Sequence, residues 1–230
     1  MDQVEKNKQD SKSGAILVAL GIFLSRIAGL IRQRAFAHYF GNSDAADAFN
    51  AAYKIPNFLQ NLFGEGVLSA SFIPVYANLL ASQDETGKLE ARKVASTILS
   101  LLFLTTSLLV LVGVLLTPFL IDTIAPGFHG EKKELTIKLV QIIFPGTGLL
   151  VLCAWCLGIL NSHRKFFLSY AAPVIWNFSI IFVLLFFGQK FPQFKLAEAL
   201  SWGLVLGSFL QFLVHKVFLE IVLQYTFQHY

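Results

Sequence analysis

Six charged side chains stand inside the two most N-terminal apolar runs of the sequence: Arg26, Arg32 and Arg34 in the first, Asp47, Lys54 and Glu65 in the second. A charge at membrane depth costs about 2.5–3.5 kcal/mol on insertion scales, so it is held against a partner or faces water, and it marks a pathway or a site. Arg34 is explained by snorkelling to the headgroups near a helix end. For Arg32 both readings stand, and for Arg26, half-way along its run, the site reading leads.

The second run is the more informative. Asp47, Asn50, Lys54, Asn57, Asn61 and Glu65 follow one another at steps of 3, 4, 3, 4 and 4 residues, which at 3.6 residues per turn is a single polar stripe. Phe49, Ile55, Phe58, Leu59, Leu62 and Phe63 lie opposite. An amphipathic helix lying flat on a membrane has such a stripe too, but those helices are rich in Lys and Arg, whereas this stripe mixes signs and amides. Pro56 removes a backbone donor and predicts a kink, and Gly64 and Gly66 flank Glu65 with flexible backbone. Bent helices at membrane depth are how transporters expose polar groups to a cavity.

A cavity lined by arginines and amides suits an anionic substrate, because the guanidinium fork matches phosphate and stays charged. Asp47 and Glu65 are then expected to hold the arginines or to serve in gating. No catalytic constellation competes: the sequence has no His/Cys metal cluster, no GxSxG and no phosphate-cradling glycine loop. It reads as a non-enzyme without metal or cofactor. His38, His129, His163, His215 and His229 are scattered and are explained by loop or interface positions, and Cys153 and Cys156, one turn apart, by helix packing.

The elements that must carry these residues are membrane helices. Hydrophobic residues make up 55% of the 230 and charged residues 14%, with a mean hydropathy of +0.64; soluble domains are nearer a quarter charged. Apolar runs predict six spans, at 15–40, 46–81, 94–121, 137–160, 167–188 and 197–222. The expected class is an all-α integral membrane protein, with a polar cytoplasmic tail over 1–14, a six-helix lobe over 15–225 and a short end at 226–230. The 14 tail residues precede an apolar run without a cleavage site, so the first span is expected to be retained. The short connections predict antiparallel neighbours.

Lys6, Lys8 and Lys12, then Lys88, Arg92 and Lys93, then Arg164 and Lys165 fall on one side of such a bundle. The other side has Lys132, Lys133 and Lys138, then Lys190 and Lys195, and none in its first turn. The bias predicts cytoplasmic termini in a cell membrane. It also accounts for the net charge of +4 without a nucleic-acid partner.

The run SRIAGLIRQRAFAHYFGNSDAADAFNAAYKIPNFLQNLFGEGVLSASFIPVYANLL, residues 25–80, resembles the start of the MurJ/MviN family of lipid II flippases in the MOP exporter superfamily. IAPGF (124–128), IIFPG (142–146) and ILNSHRKFFLSYAAPVIWNFSII (159–181) are similar to family segments in the same order. The resemblance implies one lobe of a transporter that moves the undecaprenyl-pyrophosphate-linked peptidoglycan precursor across the cytoplasmic membrane by alternating access. It implies pyrophosphate contacts from Arg26 and Arg32, with Ser25 beside the first and Lys54 on the second helix. Asp47, Asn50, Asn57, Asn61 and Glu65 would be polar cavity or gating positions. The implied partners are a lipid-linked anion, membrane lipids and a second lobe or subunit, since family members have about fourteen helices in two six-helix lobes plus a pair.

This chain departs from the family pattern at Gln33, where an acid is common, and at Gln60 and Asn61, where a basic pair is common. A lost cavity cation would weaken pyrophosphate binding. A scaffold derived from one lobe, or an exporter of another lipid-linked substrate, is the alternative.

Overall fold

A computed structural model describes residues 2–82, 85–163 and 165–228, and all its regular structure is helical. Helix α1 spans Asp2–Phe40 and α2 spans Asp44–Asn61; α2 runs through a π-helical segment, Leu62–Phe72, into α3, Ile73–Ala81. Then come α4 (Glu85–Ile124), α5 (Gly130–Ser162), α6 (Phe166–Phe187) and α7 (Gln193–Gln228). With α2, the π segment and α3 taken as one rod, the described residues form six rods, one for each predicted span. Helices α4, α5 and α7 are long and apolar enough to cross a membrane, and α6 carries a 17-residue apolar run, Ala171–Phe187.

One expectation about these elements needs correction. The charged stretches KLEAR (88–92) and EKKE (131–134), read as connections, are first turns of α4 and α5; Glu, Lys, Leu, Ala and Arg are strong helix formers, and their charges sit at the rod ends. In the second rod Pro56 lies inside α2, whose α-geometry continues to Asn61. The change begins at Leu62, in the stretch holding Gly64 and Gly66, where backbone freedom is greatest. The side chain of Glu65 lies outside the described part.

The turn between α1 and α2 is specified locally. Gly41 closes α1 in the left-handed region, φ 54°, its N–H donating to the Ala37 carbonyl at 3.0 Å, a conformation that favours glycine. Ser43 then caps α2, its Oγ accepting from the Ala46 N–H at 3.2 Å. From α7, Gln193 Nε2 donates to the end carbonyls of α1, Tyr39 at 3.3 Å and Phe40 at 3.2 Å.

Packing departs from simple antiparallel neighbours. Helix α1 packs chiefly on α6, and α5 lies centrally against α2, α4 and α7. Helix α2 packs chiefly on α5, and its buried residues are mostly small, Ala45, Ala46, Ala48 and Ala52, with Phe49 and Pro56. Of the large residues opposite the polar stripe, Phe58 and Leu62 are exposed. Lipid is as apolar as a side chain, so small residues that let backbones approach win the interface. The same holds between α6 and α7: a Cβ on Gly203 would come within 2.6 Å of Val183, and one on Gly207 within 3.2 Å of Trp176. Across that contact Ser179 Oγ donates to the Gly203 carbonyl at 2.7 Å.

Several buried hydroxyls are satisfied by carbonyls of their own helix. Ser201 and Ser208 donate to the carbonyls of Ala197 and Leu204, each at 3.0 Å. Pro118 inside α4 leaves the Val114 carbonyl without its usual i+4 donor, and Gln141 Nε2 of α5 donates to it at 3.4 Å. His215 is buried in α7, not at a loop or interface. His163 follows the end of α5 and bonds Tyr76 Oη at 3.0 Å. Cys153 and Cys156 are buried and free, as packing residues; His229 lies outside the described residues.

Candidate functional site

Because α1 leans on α6 while α2 leans on α5, a cleft opens between α1 and α2. It has a volume of about 160 Å³ and is walled by Arg32, Gln33 and Phe36 of α1, Phe49, Asn50 and Tyr53 of α2, and residues of α6 and α7. Of the lining rings, Phe36 stacks on Phe40 at 4.6 Å and meets Phe49 in a tilted contact at 5.4 Å, centroid to centroid.

Arg32 is half-buried, with its guanidinium 5.0 Å from the centroid of Trp176 on α6. The Trp176 ring lies in turn 6.1 Å from that of Tyr53. Arg32 carries the single formal charge of the cleft lining. Among the described residues, no carboxylate comes within ion-pair distance of it. A lone guanidinium surrounded by Gln33, Asn50 and the Tyr53 hydroxyl can take an anion, the three neighbours supplying further hydrogen-bond donors.

The polar stripe of α2 is present and uncovered. Asp47, Asn50, Lys54 and Asn61 are exposed and Asn57 is half-buried. Of the expected site residues, the structure brings Arg32 and Asn50 together in the cleft wall. Ser25 and Arg26 lie higher on α1, Ser25 half-buried and Arg26 exposed, and neither they nor Lys54, Asn57 and Asn61 line the cleft. Gly66 has room for a side chain: the nearest atom to a Cβ added there would be the Asn61 carbonyl oxygen at 3.9 Å.

Asp47 does not hold an arginine. It accepts from Lys132 of α5 at 2.7 Å, and Asp44 accepts from the same ammonium at 2.9 Å. The reason is position: both acids sit in the first turn of α2, at the end of the bundle where α5 begins. Lys133 pairs with Asp122 of α4, and Lys138 with Glu198 of α7 at 2.7 Å. The first turns of α5 thus tie three helices together at one end.

Sequence reasoning missed Trp176, Tyr53 and Lys132. Trp176 lies within the 159–181 segment, but its partner Arg32 is 144 positions away. No local spacing signals such a pair.

The chain's residues 36–224 match the family described as Lipid II flippase MurJ. The chain belongs to that family. Among its relatives, it is 34% identical over 202 residues to "Probable lipid II flippase MurJ" of Rickettsia prowazekii, covering 87% of this chain and 38% of that protein. It is 32% identical over 204 residues to "Lipid II flippase MurJ" of Burkholderia cenocepacia, covering 87% and 38%. A solved structure, "Lipid II flippase MurJ, inward closed conformation", superposes with a TM-score of 0.71 at 32% identity, covering 86% of this chain and 40% of that one. The chain therefore spans about two fifths of the length of the MurJ proteins it matches, and it shares their membrane-helical fold. Helices α2 to α6 and most of α7, with the Trp176 and Tyr53 walls of the cleft, fall inside the MurJ match. Arg32 precedes the matched residues by one turn.

Proposed function

We propose that this chain acts as the N-terminal lobe of a lipid II flippase, a transporter and not an enzyme, working with a second lobe or subunit that completes the cavity. The observation that carries the reading is Arg32: a half-buried guanidinium without a carboxylate partner among the described residues, set in a cleft beside amides and a phenol. Its ligand in this reading is the pyrophosphate of an undecaprenyl-linked peptidoglycan precursor. Arg26, Ser25 and Lys54 join it when the second lobe encloses the exposed sides of α1 and α2. Asn50, Asn57, Asn61 and Glu65 line the path, and the Gly64–Gly66 stretch with Pro56 supplies the bend. The ion pairs of Asp47 and Asp44 with Lys132 keep one end of the lobe rigid while it rocks against its partner.

Both termini face the cytoplasm in this reading, together with the helix ends that bear Lys88 and Lys165, from the Lys and Arg bias. Gln60 and Asn61, in place of a common basic pair, favour a second reading in which the exported lipid carries a different anionic headgroup.

The test is complementation in cells depleted of their own flippase, with this chain alone, with the chain joined to a second lobe, and with Arg26→Ala of each. Rescue by the joined form that Arg26→Ala abolishes is expected. Failure of every form, with normal membrane insertion, would remove lipid II transport and leave the scaffold reading.

A further inference from the structure

The Arg32 guanidinium carbon stands 5.0 Å over the centroid of the Trp176 ring, and among the described residues no carboxylate holds it. A guanidinium paired with a carboxylate spends its N–H edge on that acid; one laid over a ring uses its flat face and keeps the fork of donors free. The ring under Arg32 is itself held on two sides. Tyr53 meets it at 6.1 Å and an interplanar angle of 34°. On the α7 side the absence of a side chain at Gly207 brings the helices so close that a Cβ there would lie 3.2 Å from Trp176 Cα and Cδ1. Trp176 itself is buried.

We propose that Trp176 is a positioning residue for the transported anion: its ring, braced by Tyr53 and seated against Gly207, holds the Arg32 guanidinium so that the fork faces a phosphate-type group in the cleft. This rests on the anion reading above and adds to it how one lobe keeps such an arginine pre-organised. Without the ring, a long side chain of several rotatable bonds must be ordered by the ligand at the moment of binding, which weakens affinity. Lysine cannot replace Arg32, since an ammonium has neither the flat face nor the fork.

The experiment titrates the purified full chain in detergent with a polyprenyl pyrophosphate, with inorganic pyrophosphate and with the uncharged polyprenol. Trp155→Phe and Trp202→Phe leave Trp176 as the sole indole, so its emission reports Arg32 directly. Saturable change with both pyrophosphates and none with the alcohol is expected, and Arg32→Gln removes it. By titration calorimetry on chains that keep Trp155 and Trp202, Trp176→Phe, which keeps a ring face, binds within about threefold of wild type, whereas Trp176→Leu binds about tenfold more weakly, as does Arg32→Lys.

Wild-type affinity in Trp176→Leu, or equal losses in Trp176→Phe and Trp176→Leu, would overturn the positioning role while leaving Arg32 as the anion contact. Unchanged binding in Arg32→Gln would instead overturn the anion reading itself. Should Trp176→Leu not fold, the single-indole chain decides: emission that Arg32→Gln leaves unchanged, both with and without pyrophosphate, contradicts the stacked arrangement.

Discussion

Lys132 of α5 donates to Asp47 of α2 at 2.7 Å while also holding Asp44 at 2.9 Å, so one ammonium joins the first turns of two helices. The two carboxylates also sit where the α2 dipole favours negative charge. Exposed pairs contribute little singly, and a network contributes more. Lys132→Met is expected to lower the unfolding midpoint at low ionic strength, and to do so less above about 0.5 M salt, where screening shortens to a few ångströms. Thermal unfolding in detergent at two salt concentrations checks this; a loss that does not depend on salt would mean the aliphatic stem matters more than the charge.

Gln141 and Pro118 form a second pair that can be tested as a cycle. Gln141→Leu is expected to cost about 0.5–1.5 kcal/mol, the range for interhelical hydrogen bonds in membranes, because the Val114 carbonyl loses its replacement donor. In a Pro118→Ala background the residue at 118 regains an N–H for that carbonyl, and Gln141→Leu becomes nearly neutral. Equal costs in both backgrounds would show that Gln141 acts by packing alone.

At the α6–α7 contact, Gly203→Leu is expected to destabilise by about 1–3 kcal/mol through overpacking against Val183. Gly207→Leu displaces Trp176 as well, so it should lower anion affinity where Gly203→Leu does not. Matched losses of affinity in the two variants would remove Gly207 from the account of the cleft.

His163 gives a pH dependence with a definite sign. Burial, and secondarily the nearby Lys165 charge, lowers its pKa below the ordinary 6.5, so the folded chain holds the neutral ring beside Tyr76. A depressed pKa contributes stability that is full above the unfolded value and is lost as pH falls below it. Wild type is therefore expected to lose more stability than His163→Gln as the pH falls from about 7.5 to about 5. Parallel losses would show that His163 does not titrate with unfolding.

How much of this was legible before the fold depends on the range of each interaction. The α2 stripe was readable because Asp47 to Asn61 recur at helical spacing, and spacing is local. The extent of α4 and α5 was not, since Lys88, Glu90, Lys132 and Glu134 were read for their charge, although those residues are as content in a helix end as in a loop. Gly64 and Gly66 mark flexible backbone by residue type alone, and the π-helical segment Leu62–Phe72 falls on that stretch. The assignment of Asp47 to an arginine failed because its real partner, Lys132, is 85 positions away on a helix whose neighbours no pattern revealed. For Arg32 the sequence leaves snorkelling and a site both open, and its aromatic neighbour Trp176 is invisible for the same reason of distance.

The central claim is that Arg32 contacts the anionic group of a lipid-linked precursor during transport. Its most direct test follows labelled precursor from the inner to the outer face of cells that depend on the two-lobed form carrying this chain, comparing wild type, Arg32→Lys and Arg32→Ala at equal membrane levels. The account predicts full translocation in wild type, a loss of at least about tenfold in Arg32→Ala, and little recovery in Arg32→Lys. Wild-type translocation in Arg32→Ala would contradict it.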